Sequence, residues 1–357
     1  MYTLSLVVYI SPENTINPYR ALKTAFENFN LEPFKGKTVA IKLHMGERGN
    51  RTHLHPSYAT ALVKILTEFN CKPFLTDTTT LYIGSRLTGL GYLKAATENG
   101  FSPSNVGAPV IIADGLYGED TIKISSGKLK TKNASVGRAL YEAEAIIVLS
   151  HVKGHALTGF AGAIKNVAMG FASKNFKLFM HRVIRPVIAY PEKCTGCGIC
   201  AKNCPGQAIT LVSGKPKIDF EKCIGCKVCA SRCPNGVITV SDRLIEKFNV
   251  RLGECAATIL KALNKKPILY VNVAEKVTRY CDCVSEPPKI VAEDSGIYVS
   301  EDPVAVDTAS FRDVEKHLTQ AKTLKEINNV NPWTHVKAVE KAKIGKTSYT
   351  LKTLTVN

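Results

Sequence analysis

The stretch from Cys194 to Pro234 constrains this chain more than any other. Cys194, Cys197, Cys200 and Cys204 are followed by Pro205, and Cys223, Cys226, Cys229 and Cys233 by Pro234. Each half has the spacing C-x-x-C-x-x-C-x-x-x-C-P, the run that wraps a cubane 4Fe-4S cluster, with the fourth cysteine of each run reaching to the other cube. One cluster is therefore expected on Cys194, Cys197, Cys200 and Cys233, and the second on Cys223, Cys226, Cys229 and Cys204. Gly196 and Gly225 leave room for backbone beside the inorganic sulfides. The halves repeat at an offset of 29 residues, and the repeat extends into two apolar tails, 208–211 and 237–240, each expected to be a short strand. Zinc and disulfides are the plainer readings. Zinc sites usually assemble two pairs of ligands, whereas each run here supplies a third cysteine.

The chain has 357 residues, enough for a large core and a small module. The four cysteines outside the repeat are Cys71, Cys255, Cys281 and Cys283. Thiolate-bound clusters call for a reducing interior, so the cytoplasm is the expected compartment. The first ten residues read as a strand and not as a signal peptide. No apolar run approaches the length of a membrane span, so no membrane partner is expected. The formal net charge is +17. Such a surface could attract nucleic acid, anionic lipid or an acidic redox protein. The basic residues are scattered and match no nucleic-acid motif, so solvated surface charge is the simpler reading.

Before and after the cysteine repeat, strands alternate with helices. Strands are expected over 3–10, 38–43, 73–76, 110–113, 145–149, 267–273 and 296–299, with a β-rich patch at 122–129. Helices are expected over 17–29, 56–69, 92–99, 134–143, 158–172 and 243–263, with another opened by Asp302 and Pro303. The tail reads as a helix and a final strand. This alternation predicts an α/β fold, a mostly parallel sheet with helices on both faces. Because it resumes after residue 241, a small α+β two-cluster ferredoxin-like insertion at 187–241 is expected to interrupt one domain made of 1–186 and 242–357.

In such sheets ligands sit beyond the carboxyl ends of the strands, where several polar residues collect. Lys42 and His44 close one strand, and His53 and His55 follow. His151 and His155, four residues apart, could bind a metal or relay a proton; singly, each histidine is as well explained as a satisfied loop residue. Lys165 and Asn166 lie in a small-residue helix and could anchor a phosphate or carboxylate. Asp77, Asp302 and Asp307 could cap helices or face the same cleft, and capping suits Asp302 best. Cys281, Asp282 and Cys283 could ligate a metal, form a redox couple or hold a substrate thiol, or simply pack in a turn. No G-x-G-x-x-G or G-x-x-x-x-G-K-[ST] supports nucleotide binding.

With these residues in view, the chain resembles the domain-of-unknown-function 362 family, and in particular members with an inserted two-cluster ferredoxin segment. The matching stretches are 42–47, 76–78, 151–170, the triplet 281–283 and the run 300–307. The resemblance implies an iron–sulfur protein of the α/β type and supplies no reaction. The expected function is a relay of electrons from two 4Fe-4S clusters to a substrate, metal or small cofactor in the α/β domain, as in a reductase fed by a redox partner protein. The alternative is a non-catalytic electron carrier, or an iron–sulfur assembly factor that docks a partner.

Overall fold

The structure, a computed structural model, describes residues 4–129, 131–286 and 288–356. Its centre is an eight-stranded sheet. In chain order the strands are β1 (Ser5–Ile10), β2 (Thr38–Lys42), β3 (Lys72–Asp77), β4 (Val110–Ile112), β5 (Ala145–His151), β6 (Ile268–Ala274), β7 (Gly296–Ser300) and β8 (Tyr349–Leu354). Across the sheet they run β8-β1-β7-β6-β5-β2-β3-β4. Only β7 opposes its neighbours; the other pairings are parallel. Position 3 of the expected first strand lies outside the described residues.

The central strands read as continuous apolar runs because both faces are covered. Successive side chains point to opposite faces, so β5 sends Ile146 and Val148 into one core and Ala145, Ile147 and Leu149 into the other. The second core is closed by helices α1 (Pro18–Phe26), α2 (Pro56–Glu68) and α3 (Gly89–Glu98). The first is closed by α4 (Ala163–Gly170), α5 (Lys174–His181), α6 (Asp242–Ala262), α7 (Pro303–Lys316) and α8 (Trp333–Lys341). No helix among the described residues is long and apolar enough to cross a membrane.

Three expectations need correction. The helix over 134–143 shrinks to Arg138–Glu142, because Ser135–Gly137 pairs as a strand with Thr121–Lys123. That short strand is all that forms of the β-rich patch at 122–129. The helix over 158–172 begins only at Ala163, because Gly159–Ala161 pairs with Lys153–His155. His151 and His155 thus end strands and do not lie in loops.

Residues 187–241 leave the α/β body and return at one place, where Val187–Ile188 and Ile238–Thr239 pair antiparallel. A hairpin, Ile209–Val212 with Lys215–Ile218, and two short helices at Ile199–Lys202 and Val228–Ser231 fill the segment. The sequence repeat is repeated in the backbone. Gly196 and Gly225, Gly198 and Lys227, and Gln207 and Gly236 all have positive φ and lie 29 residues apart. Gly225 (φ +68°) also packs on α5: a Cβ there would stand 2.3 Å from the His181 carbonyl oxygen.

Gly170 lets α4 close against β2, since a Cβ at this position would stand 2.1 Å from Lys42 Cε. Overpacking of this kind costs about 1–3 kcal/mol. Gly170→Ala should therefore lower stability by that amount in urea denaturation, and an unchanged midpoint would contradict the close approach of Lys42 to α4.

Candidate functional site

From β2 the chain proceeds to β3 and β4 on one side, whereas β5 and β6 lie on the other. The order therefore reverses between β2 and β5, the place where open α/β sheets leave a crevice at their carboxyl ends. Lys42 ends β2, Asp77 ends β3 and His151 ends β5. Lys42 Nζ lies 3.0 Å from Asp77 and donates to Asn166 Oδ1 at 2.6 Å. The Asn166 amide donates in turn to the Leu149 carbonyl at 2.9 Å and to Ser150 Oγ at 3.0 Å. One amide on α4 thus ties the two strands at the reversal.

Lys42 and Asp77 are almost wholly buried, with 1% and 5% of their side chains exposed. Burial pushes the Asp77 carboxyl up, but Lys42, His44 and a hydrogen bond from Tyr92 outweigh it and hold it below the usual carboxylate range. Burial lowers the Lys42 ammonium against the raising effect of Asp77. Thr78, next in sequence, accepts from Lys177 of α5 at 2.8 Å and donates to the Gly170 carbonyl at 3.1 Å.

Around the triplet a second group forms. Val284 N–H donates to the Cys281 carbonyl at 3.4 Å, closing a turn over 281–284. Glu47 N–H holds the turn by donating to the Asp282 carbonyl at 2.9 Å. The Asp282 side chain is fully buried; its Oδ2 takes Lys153 and, at 3.0 Å, His151 Nδ1, while Oδ1 has no partner among the described residues. The Cys283 sulfur lies 3.4 Å from His44 Nε2, which is also 2.8 Å from Arg86 Nη1. Arg86 is buried, paired with Glu47 at 3.1 Å and hydrogen-bonded to Tyr82. The neighbouring Cys281, with His44 and Arg86, holds Cys283 well below the usual thiol range against burial, and Cys283 and burial push Cys281 well above it. Burial and Arg86 keep His44 below the ordinary imidazole value.

The structure thus brings together Lys42, His44, His151, Asn166, Cys281, Asp282 and Cys283. It also changes the reading of several. Both His151 nitrogens are occupied, Nε2 by the Glu275 carbonyl at 2.7 Å, and His155 Nδ1 accepts from Leu157 and Thr158 N–H at 3.2 Å each. The two do not share a metal site, and among the described residues no three His, Cys, Asp or Glu side chains close on a single ion. Lys165 is half-buried, and among the described residues no hydrogen bond or ion pair engages it. Asp302 caps α7, as expected. Asp307 caps the start of α4 from a different helix, accepting from Ala163 and Ile164 N–H at 2.6 and 3.0 Å. His53 and His55 line an open groove with Arg51, Lys64 and Lys276. Sequence reasoning missed Arg86, Tyr82, Tyr92 and Lys153 as site residues, because no local motif carries them.

In the segment 187–241, Cys194, Cys197, Cys200 and Cys233 line one hollow together with Ile199, Leu211, Val237 and Ile238. Cys200 is near enough to Cys233 and Cys194 to feel their charge, and Cys229 feels Cys226, Cys223 and Cys204. The grouping is the crossed one: the last cysteine of each run joins the first three of the other. Backbone N–H groups of Ala208 and Val237 donate to Cys204 and Cys233 Sγ at 3.3 Å each. Burial pushes the Cys229 thiol up to about 12 and the Cys226 thiol up to about 11.

Removing one partner of a buried ion pair strands the other, at a cost of about 3–5 kcal/mol. Lys42→Met should lose that much in urea denaturation, and adding Asp77→Asn should restore much of it; equal losses in the single and double variants would contradict the pairing. The lowered Asp77 carboxyl also fixes a pH dependence. Its stabilising contribution is complete above about pH 4, near the value of a free Asp, and is lost as pH falls through the lower folded value. The stability gap between wild type and Asp77→Asn should therefore narrow with acidification, and a gap that widens would give the wrong sign.

Two solved structures match this chain at low similarity. The lactate racemase apoprotein from Thermoanaerobacterium thermosaccharolyticum has a TM-score of 0.38 at 12% identity, over 76% of this chain and 51% of that one. A structural-genomics protein from Thermotoga maritima also has a TM-score of 0.38, at 14% identity, over 91% of this chain and 58% of that one. This chain thus spans little more than half the length of either. No protein of curated function matches significantly. The family Domain of unknown function (DUF362) matches residues 39–312. The chain belongs to the DUF362 family.

Proposed function

We propose that this is a two-cluster iron–sulfur protein whose segment 187–241 is a ferredoxin-like insertion and whose α/β domain holds a reductive site between β2 and β5. The observation that carries the reading is the crossed grouping of eight thiols, which matches the ligand exchange between the two runs of a two-cluster ferredoxin. Cys194, Cys197, Cys200 and Cys233 would hold one cubane; Cys223, Cys226, Cys229 and Cys204 would hold the other. The donor set fits such a group. The first four thiols surround a hollow and do not converge on a point, and backbone N–H groups already point at Cys204 and Cys233. A bound 4Fe-4S cluster supplies one electron at a time.

The placement of the two thiol sets supports a direction. Cys197 is exposed, and Tyr190, Leu211 and Val212 expose apolar surface on the same segment, where a redox partner protein could dock. The other set faces inward, with Gly225 packed on His181. Burial and then Lys165 hold the His155 ring well below the ordinary imidazole value. At the Cys283 group Arg86 and Lys165 could neutralise an anion, and His44 could pass a proton to or from Cys283 at 3.4 Å.

Anaerobic native mass spectrometry with electron paramagnetic resonance tests this reading. Wild type should carry the mass of about eight irons and eight sulfides. Cys233→Ser and Cys194→Ser should perturb the same reduced-cluster signal, and Cys204→Ser the other one. Wild type without iron under strict anaerobiosis would sink the proposal. So would a Cys233→Ser spectrum that matches Cys223→Ser.

A further inference from the structure

Cys281 and Cys283 form no disulfide and flank the buried Asp282 in the turn over 281–284. The turn over 281–284 carries both on one bend of the chain, and the Cys283 sulfur lies 3.4 Å from His44 Nε2. Cys283 is the partly accessible member and Cys281 the buried one. His44 stands against Cys283 with Arg86 beside it, and the charge of the half-buried Lys165, which no hydrogen bond or ion pair engages among the described residues, acts on Cys281. An accessible thiolate backed by a buried thiol is the arrangement that thiol–disulfide exchange requires, since the thiolate is the nucleophile and a second thiol resolves the adduct. The unpaired ammonium favours a substrate with an anionic group.

We propose that Cys281 and Cys283 form a thiol–disulfide exchange site for a small anionic disulfide, with Cys283 as nucleophile and Cys281 as resolving thiol. The Cys283 thiolate attacks one sulfur of R–S–S–R; that bond breaks, a mixed disulfide forms on Cys283, and RS⁻ leaves. Cys281 then gives up its proton and attacks the Cys283 sulfur, releasing the second RS group. One thiol, one thiolate and one disulfide become the Cys281–Cys283 disulfide, one RSH and one RS⁻. This half-reaction balances on the protein's own thiols. Turnover rests on the iron–sulfur reading, because return to the thiol–thiolate form takes two electrons and one proton.

The test uses anaerobically purified full-length protein with dithiodiglycolate as an anionic probe and cystamine as its cationic counterpart. After quenching with an alkylating agent, peptide mass mapping follows residues 281 and 283. Wild type should lose two hydrogens as a 281–283 cross-link and hold no adduct. Cys281→Ser should trap the probe on Cys283, whereas Cys283→Ser should acquire no adduct at Cys281. Lys165→Gln should lower the rate with dithiodiglycolate several-fold relative to the rate with cystamine. Buried Cys71 and Cys255 should stay unmodified and serve as internal controls. The proposal is overturned if wild type remains alkylatable at both positions after excess probe, or if Cys281→Ser shows no adduct at Cys283. Iron content and cluster absorbance of the same samples keep the two readings apart: intact clusters beside an inert pair sink only the exchange site, and a reactive pair in iron-free wild type sinks only the clusters.

Discussion

The tie between β2 and β5 through Asn166 sets the geometry on which the rest of the site depends. β2 and β5 pair in parallel as far as Lys42 and Val148, at the place where the strand order reverses. Lys42 is held there by Asp77 on one side and by Asn166 on the other. Because Asn166 also donates to Leu149 and Ser150, the same helix that buries Lys42 fixes the end of β5. Gly170, one turn further on, permits the approach. Buried charges of this kind persist only when paired. The pairing therefore limits how far α4 can move from the sheet.

Charge balance extends through the site. Lys42 faces Asp77, Arg86 faces Glu47, and Lys153 faces Asp282. Two groups stand out among the described residues with no hydrogen bond or ion pair: the half-buried Lys165 and one oxygen of Asp282. These are the groups with capacity left for a ligand. The histidines divide on the same principle. His151 is taken up by a carboxylate and a carbonyl, whereas His44 sits between a guanidinium and a sulfur, where its proton inventory can change.

Much of this was legible in the sequence, for physical reasons that differ by residue. The uninterrupted apolar runs at β5 and β6 announce strands covered on both sides, and Lys42, Asp77 and His151 are conspicuous as the polar residues that end such runs. Cysteine spacing is local, so the thiol groupings could be anticipated from it. Arg86 could not, because its partners Glu47 and His44 lie about forty positions upstream. Lys153 was hidden for the same reason, since it meets Asp282 across the fold. The helix expected at 134–143 failed because tertiary pairing overrode local preference: Ser135–Gly137 joins Thr121–Lys123, and Gly137 N–H donates to the Phe171 carbonyl.

The proposed delivery of electrons from segment 187–241 to the α/β site is tested most directly by an electron count. Air-free reductive titration of oxidised wild type and of the variant with both Cys281→Ser and Cys283→Ser would be followed by cluster absorbance. Each cubane takes one electron, and a disulfide at 281–283 would take two more. Wild type should therefore consume about twice the reducing equivalents of the variant, with the thiols of 281 and 283 appearing as the extra electrons enter. Equal consumption by the two proteins, with both clusters intact, would contradict delivery of electrons to this site.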